Sequence, residues 1–246
     1  MSSLKHEPTR TEGPAAPVIP VVAEVSKLVG AYRPDAWAFH RLPSREIKRR
    51  FWHMFPGMMA FSLHLVPHVD PISPLLRLSL VSFGIAVSIR ILLGFRLIQR
   101  KGEGAGVDAV AGYAFSVLAT ILIFPRHLEL GLAVLGILAF GDGAATFVGL
   151  TLRGPRLAWN RGKSWSGLIG FIVIGSLMTS LLYWDEARNP QAADPAVSFG
   201  LAFLLTAPAV VAAAFAESVR SRINDNIRVG IVAVVAIVLL HNFRPL

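Results

Sequence analysis

The chain contains no cysteine. Disulfides, thiolate nucleophiles and Cys-ligated zinc are therefore excluded, while the compartment stays open. Charge is also scarce. Asp, Glu, Lys and Arg make up 16% of the 246 residues, against about a quarter in ordinary soluble domains. The opening stretch MSSLKHEPTRTEGPAAP lacks the short apolar core of a signal peptide, so no cleavage is expected. Residues 1–17 are polar and proline-rich and read as a disordered tail. No internal repeat is visible.

What the chain has is apolar sequence: 54% of residues are hydrophobic, and the mean hydropathy is +0.57. The apolar runs fall at about 54–69, 73–95, 107–124, 128–148, 166–184, 198–217 and 229–243. A straight helix needs about 20 residues to cross the hydrocarbon, so the first and last runs are short. The expectation is an all-α polytopic transmembrane bundle of about seven spans over 54–246. Residues 18–53 mix apolar and basic residues and read as an amphipathic juxtamembrane segment.

The net charge is +9. A basic excess suits either nucleic-acid binding or membrane orientation, and its distribution decides between them. Nine Lys and Arg precede the first run. Arg96, Arg100 and Lys101 follow the second, Arg153, Arg156, Arg161 and Lys163 follow the fourth, and Arg220, Arg222 and Arg228 follow the sixth. The intervening loops hold none, Arg126 alone and Arg188 alone, and Arg244 ends the chain. Nineteen of the 24 positive charges thus fall on one side. This alternation predicts seven spans with a cytoplasmic N-terminus, and it accounts for the charge without nucleic acid as a partner. Arg77 and Arg90 fall inside the second run.

An ionisable side chain within a span is a functional candidate by default. Asp142 stands late in the fourth run, between Gly141 and Gly143. Those glycines allow close approach of a ligand or, alternatively, of a neighbouring helix. Glu217 closes the sixth run, with Asp225 and Asn226 eight and nine residues further on. If that helix continues, 217 and 225 share a face; otherwise Glu217 is an end-cap and Asp225–Asn226 a turn. Arg49, Arg50 and His53 lie within about one helical turn beside the first run, where a lipid-facing basic cluster is the simpler reading. His64 and His68 read as structural or interfacial. Gly162-Lys163-Ser164 invites a phosphate-loop reading that fails, because the first glycine would have to be Leu157. Its chemistry survives: a freed backbone, a point charge and a helix start suit a phosphate. Together these three groups of carboxylates and cations suit a nucleoside triphosphate with Mg2+.

The stretch GDGAATFVGLTLRGPRLAWNRGKSWSG, residues 141–167, is similar to the Gly-Asp-x-Ala-Ala…Gly-Lys-Ser-x-Glu-Gly pattern of the CTP-dependent membrane lipid kinases. EIKRRFWH resembles their Arg-Lys-x-x-His element, and AESVRSRINDN resembles their Glu…Asp-Asn. The family includes dolichol, phytol and farnesol kinases and the CTP-dependent diacylglycerol kinase, distant relatives of phosphatidate cytidylyltransferase. The resemblance spans about residues 45–235. It implies transfer of the γ-phosphoryl of CTP to a membrane lipid alcohol, and the charge alternation puts that reaction at the cytoplasmic leaflet of the cell membrane. It implies catalytic roles for Asp142, His53 and Glu217, and metal ligation by Asp142, Asp225 and Glu217. Nucleotide contacts are implied for Arg49, Arg50, Gly141, Gly143, Gly162, Lys163, Ser164 and Asn226. Two departures stand out: Ser166 replaces the family's Glu, and Gly230 its Pro. Rival readings are a cytidylyltransferase, whose C-terminal Ser…Asp-Arg…Lys-Asp signature is absent, an inactive homologue, and a non-enzymatic transporter or scaffold suggested by Arg77 and Arg90. The lipid's identity and the oligomeric state are left open.

Overall fold

The computed structural model describes residues 42–98 and 106–243. The expected tail and the juxtamembrane segment up to residue 41 lie outside the described residues. Among those described, the chain is all-helical: α1 (Ser44–Ala60), α2 (Pro74–Ile98), α3 (Val107–Ile123), α4 (Leu128–Leu152), α5 (Trp165–Glu186), α6 (Phe199–Ser218) and α7 (Asp225–Asn242). A tight helical turn, Phe61–Leu65, follows α1.

Five helices are long and apolar enough to cross a membrane, namely α2, α4, α5, α6 and α7, and α3 is a shorter apolar helix. The chain is a membrane protein. The expected first span differs from what forms. Its helix starts ten residues before the apolar run, because SREIKRRFWH has no helix-breaking residue, and it ends at Ala60. α1 is accordingly amphipathic, with Arg50 and Gly57 buried and Ile47 and Phe51 outside. The seventh run likewise starts earlier, since Asn224 caps α7 by accepting from the Asn226 N–H at 3.0 Å.

α4 is the central pole. Every residue from Leu128 to Gly141 is buried, as suits a helix that is apolar all round. α2 is its opposite: no residue of Pro74–Gly94 is fully buried, so its apolar surface faces lipid. Small residues bring α4 and α5 together. The backbones nearly touch at Gly141 and Gly175, and Gly167 lies against the Ala145 carbonyl. With hydrocarbon as solvent, such close backbone approach replaces the hydrophobic drive between helices. α6 joins through the Ser180–Thr206 hydroxyl pair at 2.7 Å.

Two features of α4 place the site. Ile137–Asp142 forms a π-helical turn, a local overwidening often found where function sits. The helix then stops at Arg153, which adopts left-handed backbone (φ 44°) and donates its N–H to the Gly149 carbonyl at 3.1 Å. At the other end of the bundle, His68 Nε2 meets Glu186 Oε1 at 2.8 Å, and Asn189 Nδ2 donates to the His68 carbonyl at 3.0 Å. The loop 153–164, segment 219–224 and the start of α1 lie together at the first end, where the charge alternation groups them.

A methyl group at Gly141 would sit 2.5 Å from the Phe171 ring, whereas one at Gly200 meets nothing closer than 3.9 Å. Gly141→Ala is expected to destabilise by about 1–3 kcal/mol through overpacking, and Gly200→Ala to be neutral or mildly stabilising. Thermal unfolding of the two variants in detergent measures the difference.

Candidate active site

His53 comes from α1 and Asp142 from the π-helical turn of α4. His53 Nε2 lies 3.1 Å from Asp142 Oδ2 and 2.9 Å from the Leu138 carbonyl oxygen. Both neighbours accept, so Nε2 carries the proton. The ring's edge packs on Tyr113 at 5.3 Å between centroids, and Tyr113 Oη donates to the His53 carbonyl at 3.4 Å.

Lys163 reaches the same place from the loop. Leu157 is buried as its anchor, and its N–H donates to the Lys163 carbonyl at 3.0 Å. Trp159 Nε1 and Asn160 Nδ2 donate to the Ser218 hydroxyl and carbonyl at 3.1 and 3.0 Å. These bonds clip the loop to the end of α6. There Lys163 Nζ donates to Glu217 Oε1 and, at 2.9 Å, to Asp225 Oδ2. Burial alone would lower the Lys163 pKa, but the two carboxylates outweigh it and hold the ammonium above the ordinary lysine range. The charges of Arg50 and Lys163 also act on Asp142.

Glu217 and Asp225 do not lie on one continued helix. α6 ends at Ser218 and α7 begins at Asp225, so the shared face expected from eight-residue spacing is replaced by a meeting at Lys163. Sequence reasoning counted Arg228 only as a loop charge. It donates from Nη2 to Asp225 Oδ1 at 2.8 Å and from Nε to the Ala216 carbonyl at 2.7 Å, joining α6 to α7. Its place three residues after Asp225 was the available signal.

These groups open into one cavity of about 940 Å³. Arg49, Arg50, His53, Asp142, Lys163, Asp225 and Asn226 line its polar part. Leu80, Phe83 and Val87 of α2, Val117 and Ile121 of α3, and Leu128, Leu132 and Leu135 of α4 line the rest. From Asp142 back to Leu128, fourteen residues of helix make an apolar wall about 20 Å long.

Other candidates serve the scaffold. Gly141 faces Phe171 and Gly143 faces Met54. Gly162 sits in an exposed turn, donating its N–H to Asn160 Oδ1 at 3.1 Å. Ser164 caps α5 by accepting from the Gly167 N–H at 3.2 Å. Ser166, standing where the family has Glu, accepts from the Gly154 N–H at 3.1 Å and is fully buried. Asn226 Nδ2 donates to the Ala109 carbonyl at 2.8 Å, tying α7 to α3. Arg90 is exposed on α2 and stacks on Trp52 at 5.4 Å, and Arg77 donates to the Ile72 carbonyl at 3.4 Å. Neither cation enters the core of the bundle.

Fold and site thus define a polytopic membrane protein whose amphiphilic cavity ends in a cluster of carboxylates and cations. Its relatives agree. It is 25% identical over 236 residues to probable phytol kinase 1, chloroplastic, of Oryza sativa subsp. japonica, covering 91% of this chain and 73% of that protein. It is 24% identical over 176 residues to probable phytol kinase 2, chloroplastic, of Glycine max, covering 64% and 57%. With phytol kinase 1, chloroplastic, of Arabidopsis thaliana the identity is 30% over 111 residues, covering 44% and 36%. The chain therefore spans from about a third to about three quarters of the length of these relatives. Its sequence is thus similar to those of several phytol kinases, which bears out the resemblance to the membrane lipid kinases. No protein-family model matches it, and no solved structure does.

The Glu217 side chain is only 5% exposed, so it depends on Lys163 for charge balance. Lys163→Met is expected to cost about 3 kcal/mol by leaving a buried carboxylate uncompensated. Adding Glu217→Gln should recover more than half of that loss. Denaturation of the wild type, both singles and the double in detergent completes the cycle.

Proposed function

We propose that this chain transfers the γ-phosphoryl group of CTP to the hydroxyl of a membrane lipid alcohol. The observation that carries the proposal is the amphiphilic cavity: its polar end suits a triphosphate, and its apolar wall of about 20 Å suits a long alkyl or isoprenoid chain. The choice of CTP rests on the motif resemblance over 141–167. The choice of leaflet rests on the basic segments gathered at the site's end of the bundle, which support a cytoplasmic reading of that end.

Phosphoryl transfer needs alignment and charge neutralisation more than covalent help. Arg49, Arg50 and Lys163 are the cations placed to neutralise phosphate oxygens. Mg2+ fits the residues present. Glu217 and Asp225 already aim oxygens at one point, now taken by the Lys163 nitrogen, and Mg2+ typically takes one or two carboxylates with substrate phosphates. Those two residues, with Asp142, would hold it, and it would supply charge neutralisation at the phosphates. Lys163 is then free to turn to the nucleotide. Because His53 Nε2 already donates to Asp142, the imidazole orients that carboxylate. The substrate hydroxyl's proton passes to Asp142 or to His53 Nδ1. With Ser166 spent on the Gly154 backbone, the carboxylates left to the site are Asp142, Glu217 and Asp225.

The test is lipid phosphorylation by the purified chain in detergent, with CTP labelled at the α or the γ position and ATP in parallel, across phytol, farnesol, polyprenol and diacylglycerol. Label from the γ position in lipid is expected with CTP. Label from the α position would indicate a cytidylyltransferase, and no labelled lipid would remove the enzymatic reading. Asp142→Asn should lower kcat by about 10²–10³ or more with little change in melting temperature. Lys163→Ala should raise the nucleotide KM as well as lowering kcat. Wild-type kinetics in the Asp142 variant would exclude that carboxylate from the chemistry.

A further inference from the structure

At the end of the bundle away from the active site, four side chains with metal-ligating atoms come together from separate parts of the chain. His127 and Glu129 stand at the start of α4, Asp194 in the loop between α5 and α6, and His241 in the last turn of α7. Their ligand atoms all lie within 4.8 Å of one another. His127 Nδ1 is 3.0 Å from Asp194 Oδ2 and 3.3 Å from Glu129 Oε1. His241 Nε2 is 3.7 Å from Asp194 Oδ2. From this convergence we infer that these four residues form a binding site for a single divalent transition-metal ion, with Zn2+ as its best match.

The donor set supports the assignment. Two imidazole nitrogens and two carboxylate oxygens give four ligands of the hardness that Zn2+ accepts in tetrahedral sites. Charge supports it as well. A dication balances the two carboxylates while both imidazoles stay neutral, which matters because the Glu129 and His241 side chains are each only 6% exposed. His241 is oriented from behind. Tyr183 Oη, in a fully buried side chain, lies 2.8 Å from His241 Nδ1. With Nδ1–H donating to that oxygen, Nε2 is left to bind the metal, the outer-sphere arrangement usual for ligating histidines. The site is half-open, since the His127 and Asp194 side chains are 28% and 25% exposed. That gives an ion a path in from the surface.

The role that follows is structural. The ion ties the 187–198 loop to the start of α4 and the end of α7, and Leu128, between two of its ligands, lines the apolar end of the cavity. The site therefore fastens the floor of the lipid-binding space and takes no part in chemistry at Asp142.

The experiment uses the full chain, purified in detergent without chelator and without a histidine tag. Elemental analysis is expected to find about one zinc per chain. After chelator stripping, added Zn2+ should raise the melting temperature, and Co2+ should give the visible bands of a tetrahedral ion. His127→Ala and Asp194→Asn, both at the open side of the site, should weaken Zn2+ binding at least 10-fold while the stripped proteins melt close to stripped wild type. Absence of stoichiometric metal and of the Co2+ bands in wild type would overturn the assignment. So would undiminished binding in both variants. Metal content is read without turnover, so the result stands apart from the fate of the kinase reading.

Discussion

Ionised side chains inside a hydrocarbon-facing bundle must find their counter-charges within the protein, because neither lipid nor water supplies them. Here that demand converges on Lys163. Its ammonium is held by a carboxylate from the end of α6 and another from the start of α7, and its charge also acts on Asp142 of α4. Four separate stretches of chain are brought into one arrangement by this single cation. Arg228, on the outer side of Asp225, and Arg50, which acts on Asp142, complete the balance. The same set that makes the folded state electrically tolerable is the set suited to meet a triphosphate.

Much of this was legible in the sequence because it depends on composition and order. Apolar runs announce helices, alternating basic loops announce which ends lie together, and Asp142 is conspicuous as an acid amid apolar neighbours. What escaped depends on tertiary geometry. The spacing between Glu217 and Asp225 looked like two turns of one helix, yet Ser218 and Asn224 bracket a break. α1 began ahead of its apolar run because charged residues extend a helix as readily as apolar ones. Ser164 looked like a phosphate position and Ser166 like a lost carboxylate, yet both hydroxyls are used by the backbone around them. The cluster of His127, Glu129, Asp194 and His241 left no local signal at all, since its members meet only once α4, α5, α6 and α7 have packed.

The contrast between α4 and α2 explains how one bundle hosts both a rigid charge cluster and a lipid. From Leu128 to Gly141 α4 is enclosed on every side, and glycines of α5 approach it, so the position of Asp142 is set by backbone contacts with little freedom. α2, by contrast, is bathed in hydrocarbon along its outer face. The polar chemistry thus rests on the most confined helix, while the apolar lining is shared between that helix and the least confined one.

That lining has a kinetic meaning. The partition between the bilayer and the cavity is one helix thick, so under the proposed function the alcohol would be drawn from the membrane and not from water. Its effective concentration is then a mole fraction in a two-dimensional solvent. Dilution with inert lipid, at constant bulk amount, would then starve the proposed reaction as surely as withdrawing substrate.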